Sequence, residues 1–249
     1  MYEKYLAKIN ISNRAKRIPI CFCIDTSNSM GVIVEGYDEA IDGKGTEYFA
    51  DQSVYRQITL RPEHVMLIDK IHQGLKNFYD AILDDDIACD SCESAIITFN
   101  DVPTLYESFS SIEDKTVPDF TSVMGNDTNI TPAIRMALDL LEEQKNLYKQ
   151  NKISYYQPWL VLFTDGLPTD DVSNIKSELM QMQNDGKISV YTMALTDAPE
   201  LLNSLRGYSK RSPISCSDPK EIQKFFTFLA KSVSVVAAGG NPKDYDNYF

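Results

Sequence analysis

The sequence predicts an α/β fold, a Rossmann-like, mostly parallel six-stranded sheet with helices on both faces. Three observations predict it. Short apolar runs alternate along the chain with stretches whose apolar residues recur every three or four positions, the pattern of strands joined by crossover helices. The run from Ile18 to Ile24 is apolar nearly throughout, as expected of a strand covered on both faces. One link, Asn100 to Pro103, is too short for a parallel crossover, so the strands on either side of it must be antiparallel.

The elements follow in order. The first strand ends at Asp25. A helix is expected from Arg61-Pro62, with proline in its first turn and Val65, Ile68, Ile71, Leu75, Phe78 and Ile82 on its apolar face; His64 and His72 ride it. Strands follow at Ser94–Phe99 and Thr104–Phe109. The next helix opens at Thr131-Pro132, with Thr131 as its cap and Ile134, Ala137, Leu138 and Leu141 buried. Trp159 to Phe163 is the fourth strand. Val172, Ile175, Leu179 and Met182 mark a helix that Gly186 stops. The fifth strand spans Ile188 to Leu195, a short helix Pro199 to Leu205, and a sixth strand Pro213 to Cys216. Asp218-Pro219 opens the last helix, whose stripe is Ile222, Phe225, Phe226, Leu229 and Val233. The expected strand order is 3-2-1-4-5-6, with strand 3 antiparallel. One domain is expected over 17–236, after an extension at 1–16 and before a polar tail at 237–249.

Composition narrows the function. The 249 residues carry a net charge of −12 and no basic stripe, which argues against nucleic acid and anionic membrane surfaces as partners. No apolar run reaches the roughly 20 residues of a membrane helix. The N-terminus is polar and basic, without the apolar stretch of a secretory signal, so the chain reads as cytoplasmic. Five cysteines, an odd number, fit a reducing compartment. Cys21 and Cys23 share one face of a strand as small buried hydrophobes. Cys89 and Cys92 form a C-x-x-C that has no second ligand pair at zinc spacing.

The chemistry gathers at three points, each just past a strand or before a helix at one sheet edge, where sites form in open α/β sheets. They are Asp25-Thr26-Ser27-Asn28-Ser29, Asp127-Thr128-Asn129-Ile130 and Asp165-Gly166. Together they offer two carboxylates, Asp25 and Asp165, and three hydroxyls, Ser27, Ser29 and Thr128. An all-oxygen set suits magnesium, with manganese or calcium as alternatives, rather than zinc or copper.

Asp-x-Ser-x-Ser, a later Thr and then Asp-Gly resembles the metal-ion-dependent adhesion site (MIDAS) of von Willebrand factor A (VWA) domains. Asp25, Ser27, Ser29, Thr128 and Asp165 match its five positions, and the order of elements matches over about 17–236. The run Trp159 to Asp171, with Ser94 to Phe99, further resembles the bacterial TerY-like subgroup. That subgroup is associated with tellurite-resistance and stress or defence gene clusters, beside a protein kinase and a PP2C-type phosphatase. The resemblance implies a protein–protein interaction module, not an enzyme. Ser27, Ser29 and Thr128 would contact the cation, and Asp25 and Asp165 would act through water. A cation held by neutral hydroxyls keeps its charge available for an Asp or Glu offered by a partner.

Two departures stand out. Asp127 occupies a position where related domains often have Gly. An insertion at 31–60 begins at the metal loop and holds Glu35, Asp38, Glu39, Asp42, Glu47 and Asp51 against Lys44 and Arg56, a net charge of −4. Asp42 to Gly45 reads as a turn between two short extended pieces. It is either a solvated elaboration or a partner-selecting cover over the site. The rival function is a metal-dependent hydrolase or phosphotransferase at the same site. A phosphatase of the haloacid dehalogenase type needs a second Asp two residues after the first, where this chain has Ser27.

Overall fold

A computed structural model describes residues 15–39, 46–51, 54–116, 125–216 and 218–240. The residues of 1–14, the turn at 42–45 and the tail at 241–249 lie outside them.

The central strand, β1 (Ile18–Asp25), is buried along its whole length. It pairs in parallel with β5 (Cys92–Phe99) on one side and β7 (Trp159–Thr164) on the other. β6 (Pro103–Ser111) closes one edge, antiparallel to β5. β8 (Ser189–Ala194) and the two-residue β9 (Ile214–Ser215) extend the other in parallel. The order β6-β5-β1-β7-β8-β9 is the expected 3-2-1-4-5-6, with its third strand antiparallel.

Alternation along β1 divides the core. Ile18, Ile20, Phe22 and Ile24 face one layer, with α1 (Leu67–Leu83) and α6 (Pro219–Ala237). Cys21 and Cys23 face the other, with α3 (Ile130–Gln150), α4 (Ser173–Asn184) and α5 (Pro199–Leu205). Helices therefore cover both faces. α1 and α6 approach closely at Gly74, where the Phe226 ring occupies the space of a side chain. Asp218 caps α6 by accepting from the Lys220 N–H, and Glu221 returns the bond to the Asp218 N–H.

The structure corrects the sequence reading between 31 and 67. The helix does not begin at Arg61-Pro62; α1 begins at Leu67, where Asp69 accepts from the Met66 N–H. The preceding residues form β4 (Val54–Met66), the middle of an antiparallel sheet in the order β2-β4-β3, with β2 (Ile33–Glu39) and β3 (Thr46–Asp51). Pro62 sits in a strand because the register slips there: Glu35 pairs with Val65 and Tyr37 with Leu60. Gly36, at φ +77°, passes close to the backbone of Glu63 and His64. This bulge spares Pro62 the ladder hydrogen bond it cannot donate. His64 therefore lies exposed on β4, and only His72 is on the helix. The 31–60 segment is not a plain loop, and its extended structure runs on to Met66. A short helix that periodicity did not reveal, α2 (Asp86–Ser91), is capped by the Asp85 carboxylate and precedes β5.

Candidate metal centre

β1 ends at Asp25, whose backbone register places it beside Phe99 of β5 and one residue beyond Ile24, which faces Phe163 of β7. This is the C-terminal edge of the parallel strands. Asp25 is fully buried. One carboxylate oxygen, Oδ1, accepts from the Ser27 N–H at 2.8 Å, and Oδ2 accepts from Thr164 Oγ1 at 2.5 Å. The first bond curls the chain into a tight turn that brings Ser27 back over the strand end. Met30, fully buried in the core, anchors the far side of that turn.

From there a chain of side chains runs across the edge. Ser27 Oγ and Ser29 Oγ lie 3.1 Å apart, and Ser29 Oγ donates to Asp165 Oδ1 at 2.7 Å. With its proton directed at Asp165, the Ser29 oxygen accepts from the Ser27 hydroxyl and keeps one lone pair for another electrophile. The structure thus joins Asp25, Ser27, Ser29 and Asp165 in one hydrogen-bonded group. Thr128 is buried in a third loop, 125–129, laid against the other two. The Asn28 N–H donates to the Gly125 carbonyl at 2.9 Å, and the Thr169 N–H donates to the Thr128 carbonyl at 3.1 Å.

Several residues that build the site were not singled out from the sequence. Asp101 Oδ1 accepts from the N–H groups of Asn126 and Asp127, each at 2.8 Å, and its carbonyl accepts from Asn129 Nδ2 at 2.7 Å. Asp127 itself is exposed. Thr164 holds Asp25. Thr131 does not cap α3; its hydroxyl donates to the Asp171 carbonyl, and the first N–H groups of the helix go to Asp170. Sequence proximity marks Asp170 and Thr164 only as members of the Trp159–Asp171 run, since their partners lie 39 to 139 residues away.

The electrostatics are unusual for two acids. Burial pushes Asp25 up to about 6 against its bonds from Thr164 and Ser27, which pull the other way. Burial, then the nearby Asp25 charge, pushes Asp165 up to about 7, although part of the residue reaches solvent. Neither is paired with lysine or arginine among the described residues. Two enclosed carboxylates without a cation destabilise each other when ionised. A divalent cation is what would offset that repulsion. No three His, Cys, Asp or Glu side chains cluster as a cage among the described residues. The donors are hydroxyls backed by carboxylates, and such a hard-oxygen set fits magnesium, manganese or calcium.

No family model and no curated protein matches the chain by sequence. Solved structures match it by fold. The von Willebrand factor domain of the type V pili tip protein Mfa5 from Porphyromonas gingivalis aligns over 93% of this chain and 99% of its own, at a TM-score of 0.57 and 9% identity. The chain has a VWA fold. The VWA domain of SpRpn10 aligns over 86% of this chain and 95% of its own, with a TM-score of 0.50 and 13% identity. Proximal thread matrix protein 1 from the mussel byssus, solved with a zinc-occupied MIDAS motif, aligns over 90% of this chain at 0.51 and 16% identity. The chain spans about half of that protein's length, 47%, and 62% of the PilB minor pilin from Streptococcus sanguinis.

The five predicted residues stand at the sheet edge that this fold presents. The cysteines stand elsewhere: all five are free, Cys21, Cys23, Cys92 and Cys216 buried and Cys89 half-buried on α2. No helix among the described residues is long and apolar enough to cross a membrane.

Proposed function

We propose that the chain is a metal-dependent protein–protein interaction module of the cytoplasm. One divalent cation, magnesium by default, is held by Ser27, Ser29 and Thr128, with Asp25 and Asp165 behind them. The observation that carries this reading is the continuous group Asp25, Ser27, Ser29, Asp165 at the sheet edge. Both Asp25 oxygens are already engaged by protein donors, which suits a residue that orients the hydroxyls rather than one that binds the ion alone. The zinc-occupied MIDAS motif of the mussel protein supports a divalent cation in a chain of similar fold.

The bound cation recruits an Asp or Glu of a partner protein. Two exposed apolar side chains favour a contact surface around it: Val102, 63% exposed, on the loop after β5, and Leu167, 42% exposed, after β7. β1 lies between those two strands, so the pair flanks the metal loop. The TerY-like resemblance assigns the module to a bacterial tellurite-resistance or stress cluster, where a kinase or a PP2C-type phosphatase is the proposed partner. The domain is not an enzyme in this reading. Its two histidines sit on β4 and α1 rather than in the site loops, and Asp165, the carboxylate that accepts from the Ser29 hydroxyl, stands behind the cation in this reading rather than serving as a general base. Co-precipitation of the cluster's kinase and phosphatase with the wild-type chain, in magnesium and in chelator, tests this beside Asp25→Ala. Capture that needs both magnesium and Asp25 is expected. Capture that survives chelation would leave a scaffold without a metal bridge.

A further inference from the structure

The first turn of α3 has no cap of its own, since the Asn129 side chain makes no bond to it. Its free N–H groups are met from another segment. Asp170 Oδ1 accepts from the Ile130 N–H and Oδ2 from the Thr131 N–H, both at 2.9 Å. A carboxylate spanning two N–H groups satisfies the helix end and complements its dipole.

The neighbours of Asp170 continue the grip. Thr169 Oγ1 accepts from the Thr128 N–H at 3.1 Å and donates to Asn129 Oδ1 at 3.0 Å. The Thr169 N–H donates to the Thr128 carbonyl, and the Asp171 carbonyl accepts from Thr131 Oγ1. Residues 169–171 therefore clasp 128–131 from both sides of Thr128. The same segment starts four residues beyond Asp165. Thr128 and Asp165 come from distant parts of the chain, and this clasp makes them one piece.

We propose that Asp170 is a positioning residue for the cation, fixing the Thr128 hydroxyl relative to Asp165, Ser27 and Ser29. This rests on the metal-binding reading above. Half-buried Asp170 is anchored on backbone, and the cation would feel it through the geometry of Thr128. Magnesium demands short, near-octahedral contacts, whereas calcium accepts longer and more irregular ones. Loosening Thr128 should therefore cost magnesium more than calcium, a signature that loss of an ordinary helix cap would not give.

The test is calorimetric titration of the full chain with magnesium chloride and, separately, calcium chloride, well below the melting temperature. Three proteins are compared: wild type, Asp170→Asn, and Asp218→Asn, which removes the carboxylate charge at the start of remote α6. Asp170→Asn is expected to weaken magnesium about tenfold, the range seen for residues that orient metal ligands, with calcium affected far less. Asp218→Asn should match wild type for both ions. Magnesium affinity of Asp170→Asn equal to wild type would overturn the positioning role. So would equal losses for both ions, or a matching magnesium loss in Asp218→Asn. A wild-type chain that binds neither ion would overturn the metal reading itself, and the two failures are thus told apart.

Discussion

Asp25 is the residue on which the site turns. It is buried, both of its oxygens are occupied, and its pKa is displaced upward, as is that of Asp165. A carboxyl group whose pKa rises on folding contributes stability at pH values below its unfolded value, near 4. That contribution is lost as pH climbs through the folded values, about 6 for Asp25 and about 7 for Asp165. The metal-free protein should thus give up stability at these two positions between pH 4 and pH 7. Asp25→Asn removes the charge. In chelator, its melting temperature relative to wild type should rise steadily across that interval. A difference that stays constant with pH would mean that burial does not raise the Asp25 carboxyl in the folded chain.

At the level of elements, the alternation of buried strands and amphipathic helices was legible because each main element follows a local rule. β1 is a continuous apolar run, α5 opens on Pro199, and α6 opens on Asp218-Pro219. The misreadings are places where a distant contact outweighs a local signal. Proline at 62 suits a helix start, but the bulge opposite Gly36 leaves room for it in β4. Thr131 resembles a cap, but Asp170 supplies the acceptor from 40 residues away. The two acids and three hydroxyls were readable because their spacing within each loop is local. Thr164, Asp101 and Asp170 act across loops, and no periodicity announces that. Gly74 provides an element-scale test. In a helix interior Gly→Ala ordinarily stabilises by about 1 kcal/mol. Here a methyl group would meet carbon atoms of Phe226 at 2.2 and 2.4 Å. Overpacking of that kind costs about 1–3 kcal/mol, so Gly74→Ala should lower stability in a urea melt. An increase would show that the α1–α6 contact is looser than the geometry implies.

Across the whole molecule, two sheets are joined by the metal loop and α1. The β2-β4-β3 sheet shares no strand with the six-stranded one. Its acidic excess is also smaller in effect than the sequence suggests, because Glu35 pairs with Lys70 and Asp38 with Arg61, and both cations lie beyond residue 60. Replacing residues 34–63 by a short Gly-Ser link should therefore leave the main fold and its magnesium affinity intact while altering partner affinity. A collapse of the melting transition on deletion would instead make the smaller sheet part of the fold's foundation. The exposed pair Val102 and Leu167 belongs to this scale as well. Val102→Glu and Leu167→Glu should weaken partner capture several-fold with magnesium binding unchanged, as expected for apolar anchors beside a charged contact. Undiminished capture by both variants would place the partner elsewhere.

The proposal that the hydroxyls hold a cation is tested most directly by electron paramagnetic resonance titration with Mn2+, a spin-bearing stand-in for magnesium. Wild type is compared with the Ser27→Ala, Ser29→Ala double variant at neutral pH. One bound Mn2+ per wild-type chain, displaced by excess magnesium and lost in the double variant, is the expected result. Equal Mn2+ binding by the two proteins would contradict it.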